Sequence, residues 1–232
     1  MKHLYLLVLL SISLSCSSTS NTTPPDNTVE DPTFSYLALG DSYTIGESVD
    51  PSERWPVQLA ARLRQQNFNM AAPKIIAKTG WTTRNLLNGI ENELDVQRDF
   101  DLVSVLIGVN NQYQGRSITE YEEELRQVFR KAINHSKRME AGVFAVSIPD
   151  YGYTPFGSAH QEEISAELEE FNAVFKRVAE EFGVEYFNIT PISREAQNNP
   201  DLVAPDGLHP SGLMYSQWVD LFANQVAEKL PK

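Results

Sequence analysis

The segment that decides the fold is Tyr36-Leu37-Ala38-Leu39-Gly40-Asp41-Ser42-Tyr43-Thr44. Its first residues are typical of a buried strand, and Gly40-Asp41-Ser42 leads into a helix-compatible stretch. A serine at the carboxyl end of a strand in an α/β sheet lies at the edge where such folds bind ligands. Its hydroxyl becomes a nucleophile only if a base can reach it. The segment therefore predicts an α/β protein with a candidate nucleophile, Ser42, after the first strand.

Strand-like and helix-like segments alternate through the rest of the chain. The strand candidates, some of them nearly continuous apolar runs, are Ser35–Leu39, Lys74–Lys78, Leu102–Ile107, Val143–Ile148 and Glu185–Ile189. Continuous apolar runs are typical of strands covered on both faces. Such alternation predicts a five-stranded parallel sheet between two layers of helices. The loops that follow the strands should then meet at one edge of the sheet.

The segments between the strands have the apolar spacing of helices that face a core. Thr119 and Glu122 have the spacing of a capping box and predict the start of a helix there. The last helix should pack through a stripe that includes Leu213, Trp218 and Leu221.

The first 33 residues differ in composition from the rest. Leu4 to Leu10 form an apolar run too short to span a bilayer, which favours an export signal over residues 1–16. Cys16 and the serines after it resemble the lipobox of bacterial lipoproteins, although Ser13 stands where leucine is usual; a plain secretory signal is the alternative. The resemblance implies cleavage before Cys16, acylation of its thiol and a membrane anchor in the cell envelope, on the periplasmic face or the cell surface. Residues 17–33 read as a flexible tether and 34–232 as one folded domain.

Bulk composition excludes several classes of function. The chain has 232 residues and a formal net charge of −12, and it has no basic run of the kind that binds nucleic acid. Its single cysteine allows no intramolecular disulfide. It has no Gly-x-Gly-x-x-Gly motif, no phosphate-binding loop and no Cys/His cluster suited to zinc, so we expect no cofactor and no metal.

A candidate base lies near the other end of the chain, in Asp206-Gly207-Leu208-His209-Pro210. His209 could take the proton of Ser42, and Asp206 could hold the imidazole in the required tautomer. Asp206 could instead cap the turn before the last helix, and Ser42 could cap the helix after its strand. His135 is expected to be solvated on a helix, and His160 has no acid three residues before it, although it could be a pocket residue.

Attack on an ester carbonyl produces an oxyanion that needs hydrogen-bond donors. The candidate donors are the backbone N–H groups of Ser42 and Gly80 and the side-chain amide of Asn110. Asn111 and Gln112 lie beside Asn110 and leave the choice of amide open.

The ordered set Gly40-Asp41-Ser42, Gly80, Gly108-Val109-Asn110 and Asp206-x-x-His209 resembles the GDSL, or SGNH, hydrolase family. The resemblance runs from about Phe34 to the C-terminus. It implies a three-layer α/β/α fold of flavodoxin-like type and metal-independent hydrolysis of esters or thioesters. Tyr43 and Asn111 depart from the family's frequent Leu and Asp, and we expect them to alter the shape of the pocket.

Several aromatic residues fall in or beside the loops that should surround the site: Trp81, Tyr113, Tyr151, Tyr153 and Phe156. Such rings could stack on a sugar, line an acyl pocket, or pack the loops onto the domain. The sequence therefore predicts an exported serine esterase, foremost one that removes an acetyl or other O-acyl group from a carbohydrate. A lysophospholipase or thioesterase, or a binding module without activity, is the alternative, and the sequence leaves the oligomeric state open.

Overall fold

The structure is a computed structural model that describes residues 34–95 and 99–231. The proposed signal segment, Cys16 and the tether lie outside the described residues, so the assignments made for them remain predictions. No helix in the described part of the chain combines the length and apolar character needed to cross a membrane.

Five parallel strands form one sheet in the order β2-β1-β3-β4-β5. Their bounds are β1 Tyr36–Gly40, β2 Lys74–Ala77, β3 Leu102–Leu106, β4 Val143–Val146 and β5 Glu185–Phe187. The predicted parallel sheet is confirmed, with each boundary within two residues of its expected position. Since β2 and β3 lie on opposite sides of β1, the chain reverses its direction of winding there, and ligands of such sheets bind at this point.

Helices cover both faces of the sheet. Phe187 of β5 packs on Phe222, whereas the adjacent Tyr186 packs on Phe175. Adjacent strand residues point to opposite faces, so the helices that carry Phe222 and Phe175 lie in different layers. The helices are α1 Ser42–Ile45, α2 Trp55–Gln65, α3 Thr83–Glu93, α4 Val109–Tyr113, α5 Ile118–His135, α6 Gln161–Glu181, α7 Thr190–Arg194 and α8 Gly212–Glu228. Helix α2 packs with α8, and α5 packs between α3 and α6.

Two details of the helices differ from expectation. Helix α5 begins at Ile118 because the Ser117 hydroxyl accepts the N–H of Glu120 at 3.1 Å, so the predicted capping box at Thr119 is wrong. In α8 the side chains of Leu213 and Leu221 are 48% and 43% exposed. The buried stripe of this helix runs through the positions 215, 218, 222 and 226, and residues 213 and 221 fall outside that spacing.

Candidate active site

Ser42 is the first residue of α1 and lies directly after β1. The turn is tight, since a Cβ on Gly40 would come within 2.2 Å of the Thr44 hydroxyl and 2.4 Å of the Leu106 carbonyl oxygen. The Asp41 carboxylate caps the helix by accepting the N–H of Tyr43 at 3.1 Å. Ser42 is thereby held at the carboxyl edge of the sheet.

Asp41 is fully buried below this turn. Burial raises the pKa of Asp41 to about 7, and the N–H groups of Tyr43 and Gly108 offset only part of that increase. Because the folded value exceeds the ordinary 3.8, the contribution of Asp41 to stability falls as the pH rises from about 4 to about 7. The hydrogen bond that Asp41 accepts from Tyr43 holds this loop.

The loop after Leu202 brings His209 to the same edge. The N–H of Ala204 donates to the His209 carbonyl at 2.7 Å, and that of Ser211 donates to Leu202 at 2.9 Å. Asp206 then organises the turn, because its Oδ1 accepts the backbone N–H groups of Leu208 and His209, each at 2.9 Å. Its Oδ2 lies 2.6 Å from Nδ1 of His209.

The Asp206 carboxylate is ionised in this arrangement. Burial alone would raise its pKa, but hydrogen bonds from the side chains of Ser48 and His209 and from the backbone of His209 and Leu208 hold the pKa well below its usual range. An ionised carboxylate only accepts hydrogen bonds, so the proton between the two side chains belongs to Nδ1. This leaves Nε2 of His209 as an acceptor, the form that a general base requires.

Ser42 and His209 line one cavity of about 180 Å³. The edge of the Tyr43 ring packs against the imidazole, with ring centroids 5.7 Å apart. In the described part of the chain the imidazole of His209 is hydrogen-bonded to Asp206 and not to the Ser42 hydroxyl. The fold therefore brings the two predicted groups to one site from positions 42 and 209.

Three hydrogen-bond donors are available at the same cavity. Neither the N–H of Ser42 nor that of Gly80 has an acceptor among residues 34–95 and 99–231. Gly80 has φ +83°, a conformation that favours glycine. Nδ2 of Asn110 donates one proton to the Trp81 carbonyl at 3.0 Å. An amide nitrogen carries two protons, so the second remains for a ligand.

One wall of the cavity consists of three rings, Tyr113, Tyr151 and Phe156, which we call the aromatic wall. Their centroids are 6.2–6.3 Å apart. The Tyr151 hydroxyl donates to Gln112 at 3.0 Å, and the Phe156 N–H donates to the Gly207 carbonyl at 3.0 Å. Tyr113 and Phe156 are 60% and 52% exposed, so the wall continues from the cavity to the surface.

Other predicted pocket residues lie elsewhere. Asn111 does not line the cavity; it is buried, and it accepts the N–H of Thr83 at 3.0 Å and donates to its hydroxyl at 2.8 Å. Trp81 also lies outside the lining, and its ring covers Gly89 of α3, where any side chain would clash. Tyr43, in contrast, does line the cavity, as expected of a residue that shapes it.

Three further residues considered in the sequence do not line the cavity. Tyr153 stacks under the Arg194 guanidinium, 5.6 Å from the ring centroid. His135 is buried beside the start of β3, contrary to the expectation that it is solvated. His160 is exposed and lies 3.7 Å from Glu163. Of the three described histidines, His209 alone lines the cavity.

Three other residues that line the cavity, Thr79, Val109 and Leu208, were not predicted as site residues. Each is the neighbour of a predicted site residue, and adjacency in the chain was the only available indication. Within the described ranges no group of three or more His, Cys, Asp or Glu side chains is arranged to hold a metal ion.

A parallel α/β sheet with a serine, a histidine and an aspartate gathered at its switch point is the architecture of a serine hydrolase. Residues 38–217 match the model of the GDSL-like lipase/acylhydrolase family, and the chain belongs to that family of carboxylic ester hydrolases. A search of curated protein sequences gave no significant match.

Solved structures of this class resemble the chain over most of its length. AlinE4, an SGNH-hydrolase family esterase, is 25% identical with a TM-score of 0.57, covering 86% of this chain and 97% of that one. TesA is 18% identical with a TM-score of 0.66, covering 84% and 99%. The lipase/acylhydrolase from Enterococcus faecalis is 17% identical with a TM-score of 0.67, covering 85% and 97%. The last two similarities confirm the fold.

Proposed function

We propose that the protein cleaves short-chain esters through an acyl-enzyme on Ser42, and that its substrate is an O-acyl, foremost O-acetyl, ester of a carbohydrate. The observation that carries this proposal is the small cavity beside Ser42, with its aromatic wall. Its volume of about 180 Å³ is below the roughly 300–1,000 Å³ of sites for drug-sized ligands, which favours a short acyl group. The exposed faces of Tyr113 and Phe156 favour a ring-shaped alcohol such as a sugar.

The proposed chemistry uses the geometry directly. Oγ of Ser42 attacks the carbonyl carbon while Nε2 of His209 takes its proton, and Asp206 stabilises the resulting imidazolium. The same proton passes to the departing alcohol when the ester C–O bond breaks. Water, deprotonated by His209, then attacks the acyl carbon, the bond to Oγ of Ser42 breaks, and Oγ takes the proton back from His209 as the acid is released. The N–H groups of Ser42 and Gly80 and the Asn110 amide donate to the oxyanion in both steps.

Replacing Asn110 with alanine is expected to lower kcat by about 10²–10³-fold with little change in KM, because one donor to the oxyanion is lost. Steady-state kinetics on 4-nitrophenyl acetate measures this effect. Gln114→Ala is the matched control. The exposed amide of Gln114 donates to the carbonyl of Gly80 at 3.3 Å, so it supports the same Gly80–Trp81 loop as Asn110. An equal loss of kcat in both variants would mean that Asn110 only supports the Gly80–Trp81 loop.

A lysophospholipase or thioesterase is the second candidate. It is favoured by the apolar character of much of the cavity lining, to which Val109, Leu208 and the aromatic wall contribute. The two candidates differ in the length of acyl chain that they accept and in the alcohol or thiol that leaves.

The deciding experiment compares 4-nitrophenyl esters of two to twelve carbons, acetylated oligosaccharides and lysophospholipids. We expect the highest kcat/KM for acyl chains of two to four carbons and release of acetate from the oligosaccharides. In Tyr113→Ala the KM for acetylated oligosaccharide should rise about five- to tenfold with kcat retained, because a stacking ring is lost.

Leu213→Ala serves as the control for this variant, since Leu213 is another exposed apolar side chain but lies outside the cavity. Preference for chains of eight or more carbons, or faster cleavage of lysophospholipid, would reject the carbohydrate ester in favour of the second candidate.

A further inference from the structure

Ser48 adopts an unusual backbone conformation in the loop after α1. Its φ is +64°, and only Asn67 and Met139 share a positive φ among the described non-glycine residues. Residues other than glycine seldom adopt this conformation. It persists only where the surroundings impose it, and such residues cluster at functional sites.

The side chain of Ser48 meets the candidate catalytic acid. Its hydroxyl donates to Oδ2 of Asp206 at 2.7 Å. The same oxygen accepts Nδ1 of His209 at 2.6 Å, while Oδ1 accepts the two backbone N–H groups of residues 208 and 209. Both carboxylate oxygens thus have two donors, which leaves the plane of the carboxylate no alternative orientation.

The residues before Ser48 are attached to the nucleophile. The N–H groups of Gly46 and Glu47 both donate to the carbonyl of Ser42 at 3.0 Å. The Glu47 carboxylate accepts the hydroxyl of Thr79, which lines the cavity next to Gly80. Residues 46–48 therefore connect three parts of the candidate site: the turn that carries Ser42, the loop that carries Thr79 and Gly80, and Asp206.

We propose that Ser48 is a positioning residue for hydrolysis: its hydroxyl fixes Asp206, and through it the imidazole of His209, relative to Ser42. This inference rests on the proposed roles of those three residues. The depressed pKa of Asp206 supports this role. Burial raises that pKa, and among the hydrogen bonds that lower it, the one from Ser48 has the largest effect. Ser48 does not line the cavity, and its hydroxyl reaches the site through Asp206.

The test is a double-mutant cycle with Ser48→Gly and Asp206→Ala. Glycine accepts the φ of this position, so the variant removes the hydroxyl without adding strain. We expect Ser48→Gly to lower kcat for 4-nitrophenyl acetate about tenfold with KM unchanged. The cycle compares one quantity in both backgrounds, the rate at which a fluorophosphonate labels Ser42. Ser48→Gly should lower that rate about tenfold on its own and less than twofold in Asp206→Ala.

Asn67→Gly is the matched control, because Asn67 has φ +68°, is exposed and lies outside the cavity. It should leave kcat unchanged. Ser48→Asn provides a second variant, since asparagine tolerates positive φ and its amide can donate to Asp206. It should retain more activity than Ser48→Gly.

An unchanged kcat in Ser48→Gly, or the same fold-loss in both backgrounds, would overturn the positioning role. Thermal unfolding of each variant shows whether it is folded. If Ser48→Gly is not, the kcat of Ser48→Asn relative to that of the wild type tests the positioning role instead. Activity retained in Ser42→Ala would instead overturn the proposed function, so the two failures are distinguishable.

Discussion

Ester hydrolysis is expected to disappear when Ser42 is replaced by alanine, with kcat falling by about five to six orders of magnitude. The reason is that Ser42 is the only serine among the described residues that line the cavity, and the one threonine there, Thr79, has its hydroxyl bonded to Glu47. Kinetics on 4-nitrophenyl acetate measures the loss, and mass spectrometry of a fluorophosphonate-treated sample should place the adduct on Ser42 in the wild type.

Ser52→Ala is the appropriate control, because Ser52 is exposed and lies outside the cavity. It should keep full activity and full labelling. Labelling that persists in Ser42→Ala would exclude Ser42 as the nucleophile, and activity without any labelling would exclude an acyl-serine mechanism.

Removing the carboxylate of Asp150 is expected to lower the free energy of unfolding by about 3–5 kcal/mol. Asp150 is fully buried, and its Oδ2 accepts Ser165 Oγ at 2.7 Å and Arg194 Nε at 3.0 Å. Its Oδ1 accepts the N–H of Gly152 at 3.0 Å, in the short 3₁₀ helix that carries Tyr151. Asp150→Ala strips all three donors of their acceptor, so urea unfolding should show the loss.

The exposed pair Arg62–Asp220 supplies the comparison, with side chains 40% and 54% exposed. Asp220→Ala should cost less than about 1 kcal/mol, as exposed ion pairs do. For Asp150→Asn, which keeps the shape of the side chain, the loss of free energy of unfolding should lie between those of Asp150→Ala and Asp220→Ala. Equal midpoints of urea unfolding for Asp150→Ala and Asp220→Ala would show that the contacts of the buried Asp150 contribute no more than a surface ion pair.

The elements of the fold were predictable because burial on both faces leaves a local signature. Runs such as Leu102–Ile107 and Val143–Ile148 are apolar except for one serine each, and each contains a central strand. The order of the strands has no such signature, since parallel partners are chosen by contacts distant in sequence. The sequence therefore predicts no strand order beyond the flavodoxin-like type that the family resemblance implies.

The site was predictable where chemistry restricts the residue type and unpredictable where packing decides. Asp206 and His209 were predictable from their residue types and their three-residue spacing. Asn110 and Asn111 are the same residue type side by side, and only the turn of α4 decides that one faces the cavity and the other Thr83. Ser48 is an ordinary polar loop residue by sequence, since its partner lies 158 positions away.

The loop that carries His209 belongs to the last part of the domain to be synthesised, whereas β1 is the first strand and pairs near the middle of the sheet. A chain that ends before position 209 lacks the imidazole of His209, and it also lacks α8, whose Trp218 and Phe222 are part of the core. Chains fold largely from the amino end as they emerge during synthesis. If Ser42 and His209 act as proposed, we expect nascent and carboxyl-trimmed forms to have no esterase activity, which should arise only when both ends of the domain are in place.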